Sequence, residues 1–73
     1  MSDELAAVLI KHGDGASVAL YPCTCIRTEH DVLIAIDSLD VPPERRDEVR
    51  IDNEIYVIGE VRRELVHYRC RYR

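Results

Sequence analysis

The plainest hydrophobic pattern lies in the last third of the chain. After Leu65, apolar and polar positions alternate: Val66, Tyr68, Cys70 and Tyr72 against His67, Arg69, Arg71 and Arg73. Side chains of a strand point to opposite faces in turn, so this predicts a final strand with an apolar inner face and a basic outer face. Upstream, Val49 and Ile51 alternate with Glu48 and Arg50, Asp52-Asn53 supplies a turn, and Ile55-Tyr56-Val57-Ile58 resumes. Two such runs around a short polar pair predict a hairpin. Asn53, a residue that tolerates positive φ, suits the turn, and Gly59 marks a bulge or a close approach.

The first half reads less regularly. Ser17–Tyr21 alternates as a strand, and Pro22 places that strand at an edge or a bend. Cys23–Arg27 continues extended, residues 28–31 form a polar connection, and Val32–Ile36 is an apolar run of strand length, read as buried on both sides. Gly13-Asp14-Gly15 signals a turn. Pro42 and Pro43 exclude a strand interior, and Asp40 suits the cap of a single helical turn there. For residues 3–12 the end signals favour a short helix. Ser2 would cap it, Asp3 and Glu4 occupy its first turn, Lys11 and His12 its last, and Gly13 or Gly15 would stop it. The competing reading is a strand, because Val8-Leu9-Ile10 is short and apolar. The expected fold is therefore mainly β: a small antiparallel sheet or partly closed β-barrel with a short N-terminal helix, residues 1–73 forming one domain.

Composition narrows the classes. With 73 residues, a multidomain enzyme is excluded. No apolar run approaches the roughly 18 residues of a membrane-spanning helix, and frequent, well-spaced Val, Ile and Leu exclude a disordered chain. A core this small usually needs a staple or a partner. The three Cys cannot all pair within one chain. Met1-Ser2-Asp3-Glu4 is no secretory leader, so a cytosolic start with reduced thiols is expected, and oligomerisation becomes the source of added stability. The net charge of −4 is unevenly spread. All five bases after residue 60 (Arg62, Arg63, Arg69, Arg71 and Arg73) face only one acid, Glu64, whereas the preceding body is acidic. Such a charge pattern suits head-to-tail contacts between subunits.

Three kinds of chemistry can be weighed. Cys23, Cys25, His67 and Cys70 could ligate zinc, but His67 and Cys70 would point to opposite strand faces and Cys-x-Cys is not the usual knuckle spacing. Free thiols packed as small apolar groups are the expectation, with no metal and no cofactor. Glu29-His30-Asp31 has the composition of an acid–base site, but a polar loop has the same, and no enzyme is expected. Arg69, Arg71 and Arg73 could follow a phosphate backbone. Tyr68 and Tyr72, however, lie on the other face and cannot stack bases beside them.

The stretch Asp40-Val41-Pro42-Pro43-Glu44-Arg45-Arg46-Asp47-Glu48-Val49-Arg50-Ile51-Asp52-Asn53-Glu54-Ile55-Tyr56-Val57-Ile58-Gly59-Glu60-Val61 resembles the closing hairpin of the small head–tail joining proteins of tailed bacteriophages, the head-completion or stopper proteins of the lambda tail-attachment type. Their pattern runs from a proline-containing approach through Arg-Arg-Gly-Asp to alternating apolar residues. A Gly-containing turn and an apolar–aromatic strand ending in Val follow. Arg45-Arg46 match the basic pair and Glu48 stands for the acid. Val49 and Ile51 match the first strand, and Ile55, Tyr56, Val57 and Val61 the second. In this alignment Asp47 occupies the first Gly position and Asn53 the second. The resemblance covers about a third of the chain. It implies a structural virion protein, present in the host cytoplasm during assembly. Such a protein forms a homo-oligomeric ring between portal or adaptor proteins and tail proteins, with genomic DNA passing through and no membrane involved. On that reading Arg69, Arg71 and Arg73, extended by Arg62 and Arg63, form an interface or lumen-facing set. The alternative is a small β-barrel adaptor that binds nucleic acid.

Overall fold

The computed structural model describes residues 4–15 and 17–73. It contains six strands: β1 (Leu5–His12), β2 (Val18–Arg27), β3 (Asp31–Ala35), β4 (Glu48–Ile51), β5 (Glu54–Arg63) and β6 (His67–Tyr72). They close into an antiparallel barrel in the order β1-β2-β3-β6-β5-β4. The expected partial closure is thus a full one, and closure removes most of the open edge a small sheet would expose.

The expected N-terminal helix is a strand instead. Its cap Ser2 and first-turn Asp3 lie outside the described residues, but Leu5–His12 pairs with β2 from Leu5↔Cys25 to His12↔Val18 and with β4 from Ala7↔Ile51 to Ile10↔Glu48. A helix could bury one stripe of this segment against one neighbour. The strand completes two ladders and sends Ala7 and Leu9 into the core, and that tertiary gain outweighs the end signals.

Elsewhere the predicted strands are present, with local corrections. In β3 only Val32 and Ile34 are fully buried, while Asp31, Leu33 and Ala35 are half-buried, so the run faces the core on one side. The helical turn falls earlier than expected, as a 3-10 turn at Ile36–Ser38, and residues 40–47 are irregular. Val66 does not join the inner face of β6; with Leu65 it forms an exposed β5–β6 turn. Positive φ in the β4–β5 turn falls on Asp52 (55°) and not on Asn53. Gly59 does mark a bulge, where the β5–β6 register shifts between Ile58↔Tyr72 and Glu60↔Arg71.

Pro22 shows how the barrel handles a proline within a strand. Thr24 N–H donates to Ser38 Oγ, away from β1. Backbone groups alternate sides along a strand, so Pro22 presents its missing donor to that same side, where β2 has no strand partner beyond Cys25. The core comprises Ala7, Leu9, Cys23, Cys25, Val32, Ile34, Val49, Ile51, Ile58 and Cys70, with Tyr21, Tyr56, Tyr68 and Tyr72 packed around it. No buried side-chain polar atom among the described residues lacks a hydrogen-bond partner.

Candidate functional site

The stretch carrying the family resemblance folds as one unit: a turn, β4, a second turn and β5. Its first turn spans Glu44–Asp47, closed by Asp47 N–H donating to Glu44 C=O at 3.1 Å. Arg46, the third residue of that turn, has φ 79°, the left-handed geometry that type II turns demand and that favours glycine. Asp47 is buried and fixes the turn. Its Oδ2 accepts from Glu44 N–H at 2.8 Å and from Lys11 Nζ at 2.6 Å. Its backbone carbonyl accepts from Ile58 N–H, and Arg46 N–H donates to Ile58 C=O, both at 2.9 Å. One carboxylate thereby ties the turn to β1, and the backbone ties it to β5.

This turn sets one end of a groove across β5 and β6. About 700 Å³ in volume, it is lined by His30, Asp31, Glu44, Arg45, Gly59–Arg62, Arg69 and Arg71. An adjoining hollow of about 300 Å³ adds Tyr72 and Arg73. The structure brings four of the five expected arginines to this region and separates the fifth. Arg62 lies opposite Arg69 on the outer face, Arg71 lies beside Glu60 and Asp31, and Arg63 falls opposite Tyr68 on the other face.

The arginines are not equivalent. Arg69 is occupied, its guanidinium donating to Asp31 Oδ2 and Glu64 Oε1, each at 3.1 Å. Its hydrogen bond to Glu64 is the main cause that holds the Glu64 carboxyl below the usual range, with His67 adding to it at 2.8 Å. By contrast Arg45, Arg62, Arg71 and Arg73 make no ion pair among the described residues. Arg45 was absent from the expected set because its sequence neighbours place it in a turn; only the fold carries that turn to the bulge at Gly59.

Comparison with protein-family models, with curated proteins and with solved structures finds no match to this chain. The site must therefore be read from its own chemistry.

Cys23, Cys25 and Cys70 are free, buried thiols. Burial is the main cause that pushes Cys23 up from 9.0 to about 11 and Cys70 up to about 12, and Cys25 is raised as well. They are therefore protonated, unreactive core groups at neutral pH. No group of three or more His, Cys, Asp or Glu side chains among the described residues has the geometry to hold a metal ion. His67 serves Glu64, and His12 pairs with Glu48. Tyr56 and Tyr72 are also committed. Their rings meet edge to face at 4.7 Å, Arg27 donates to the Tyr56 hydroxyl at 2.6 Å, and the Tyr72 hydroxyl donates to the Glu29 carbonyl at 2.7 Å. No described helix is long and apolar enough to cross a membrane. The barrel also presents two surfaces of distinct character: the arginine groove and the outer wall.

Proposed function

We propose that the chain is a structural subunit of a tailed-phage head–tail connector, a head-completion or stopper protein that forms a ring between the portal or adaptor and the tail. One observation carries the reading. The family pattern places glycine at two turns, and the only two non-glycine residues with positive φ among the described residues are Arg46 and Asp52. Each lies one position before the residue that sequence matching assigned to the glycine. Backbone geometry of this kind favours glycine, so a left-handed residue directly before each matched Gly position supports the reading, while Asp47 and Asn53 do not themselves adopt it. Contacts of the connector are made through faces of the closed barrel, and the uncommitted arginines Arg45, Arg62, Arg71 and Arg73 supply its charged contact.

The test is removal of the gene from the phage or prophage that carries it. Electron microscopy of the lysate is expected to show separate heads and tails, rejoined when the wild-type chain is supplied in trans. Joined, infectious particles without the chain would overturn the proposal.

A second reading, a nucleic-acid-binding adaptor, is favoured by those same four arginines around one groove. It predicts DNA affinity that falls steeply with salt and that the Arg62→Glu/Arg71→Glu variant abolishes. Glu44 and Glu60 in the groove and the net charge of −4 oppose it.

A further inference from the structure

The hollow of about 300 Å³ at the β5–β6 bulge is lined by Arg45, Gly59, Glu60, Arg71, Tyr72 and Arg73. Three guanidinium side chains thus meet one carboxylate side chain. None of the four makes an ion pair among the described residues. The other two carboxylates of the wider groove are engaged outside the hollow. Asp31 accepts from Arg69 at 3.1 Å, and Glu44 lies 4.0 Å from Lys11 Nζ. Arg71 has Asp31 and Glu60 as cross-strand neighbours and pairs with neither, so its charge is open to a group from solution.

The backbone holds these side chains around the hollow. The Glu44–Asp47 turn brings Arg45 to the bulge, fixed by the buried Asp47 carboxylate and by two backbone hydrogen bonds to Ile58. Making that turn puts Arg46 at φ 79°, a strained geometry that persists only where the surrounding structure holds it. Gly59 stands between Ile58↔Tyr72 and Glu60↔Arg71 without a register partner. A Cβ there would lie 3.5 Å from the Arg71 carbonyl oxygen and 3.9 Å from Arg73 Nε. The missing side chain therefore leaves open space directly beside the Arg73 guanidinium.

The lining selects the ligand. A guanidinium presents paired N–H donors that match the oxygens of a phosphate. A carboxylate offers two oxygens and one charge to three guanidiniums. A terminal phosphate has three free oxygens and carries about 1.5 to 2 negative charges at neutral pH, which matches the excess of positive side chains. A phosphodiester of nucleic acid carries a single charge and leaves that excess unmet.

We propose that the hollow at Gly59 is a binding site for a phosphate dianion, held by Arg45, Arg71 and Arg73. The site goes beyond the connector reading and does not rest on it: phage assembly tests that reading, and phosphate binding tests this one.

The full chain, isotope-labelled, is titrated with inorganic phosphate at neutral pH and constant ionic strength, and NMR follows the amide and arginine Nε–H signals. Signals of Gly59, Glu60, Arg71 and Arg73 are expected to shift together and saturate with a Kd of about 1 mM or below. Arg45→Gln and Arg71→Gln each remove a charge-assisted hydrogen bond and should weaken binding by about 10-fold or more. Glu60→Gln removes the one opposing carboxylate and should tighten it by about 3-fold. Arg63→Gln deletes the same charge on the other face and should leave the affinity unchanged. All four side chains are exposed, and a cooperative melt checks that each variant is folded. Phenyl phosphate as a second probe separates the sources: tighter binding than inorganic phosphate assigns the site to a phosphomonoester, weaker binding to the free ion, and both uphold it. Shifts that never saturate, or that sodium chloride reproduces, would overturn the proposal. So would equal weakening by Arg63→Gln and Arg71→Gln, or weaker binding by Glu60→Gln. Duplex DNA without terminal phosphates that displaces phosphate from the hollow at a lower concentration of phosphate groups would also overturn it, and would give the hollow to the nucleic-acid reading.

Discussion

Replacing Asp47 tests how the turn under the arginine groove is held. Its carboxylate makes two charge-assisted hydrogen bonds, to Glu44 N–H at 2.8 Å and to Lys11 Nζ at 2.6 Å, with only 11% and 20% of the Asp47 and Lys11 side chains exposed. Bonds of this type contribute about 1.5–3 kcal/mol each. Taking the lower value for a partly exposed pair, Asp47→Ala costs about 3 kcal/mol. A chain of 73 residues has roughly 4–11 kcal/mol of total stability, so the loss is a large fraction. Asp47→Asn keeps an acceptor for Glu44 N–H and loses the charge opposite Lys11, so it should cost about half as much. Urea denaturation of both variants, and of each combined with Lys11→Met, separates the ion pair from the turn bond. The reasoning fails if Asp47→Ala lies within about 0.5 kcal/mol of wild type, the range of an ordinary surface change. It also fails if the Asn and Ala variants are equally unstable.

Three further outcomes follow from the same geometry. Arg46→Gly removes left-handed strain at φ 79° and should stabilise the barrel by about 0.5–1 kcal/mol, with a smaller gain for Asp52→Gly because Asp already tolerates that region; calorimetric melting reads both, and a loss at Arg46 would contradict the turn assignment. The buried thiols should make the protein less stable in alkali. Between pH 9 and about 11 the unfolded chain gives up thiol protons that folded Cys23 and Cys70 keep, so stability is full below pH 9 and falls as pH rises. A Cys23→Ala/Cys70→Ala variant should flatten that decline in pH-dependent denaturation, and an unchanged slope would refute it. Glu64 behaves oppositely: its lowered pKa contributes stability that is present above the ordinary range near 4.5 and lost as pH falls through the folded value. Glu64→Gln should therefore weaken the acid dependence of the midpoint, and an identical acid profile would count against the Arg69–Glu64 contact.

Where polar and apolar residues alternate cleanly, the fold was legible. The β4–β5 hairpin and β6 follow from period-two patterning with one face dry. β1 was not, because Val8-Leu9-Ile10 is apolar on both faces and its capping signals fit a helix; pairing with β2 on one side and with the sequence-distant β4 on the other decides it. The same continuous apolar runs, Val8–Ile10 and Ile55–Ile58, were the available sign of an apolar outer wall, since a strand buried on one side needs no apolar residue on the other. The arginines of β6 could be assigned to a common face, but their availability could not. Arg69 is consumed by Asp31 and Glu64, while Arg45 arrives from a distant turn, and both facts depend on barrel closure. The positive φ at Arg46 left no trace in the sequence, because arginine is an unusual residue to occupy it.

The central claim is that this barrel is a connector subunit, and its most direct test is binding to DNA-filled heads that lack tails. Purified chain is mixed with such heads and the portal vertex is imaged by cryo-electron microscopy. The account predicts a ring of several copies at the portal or adaptor exit and recovery of tail attachment. Heads that bind no chain at that vertex, in a preparation where the chain is folded and in excess, would contradict it.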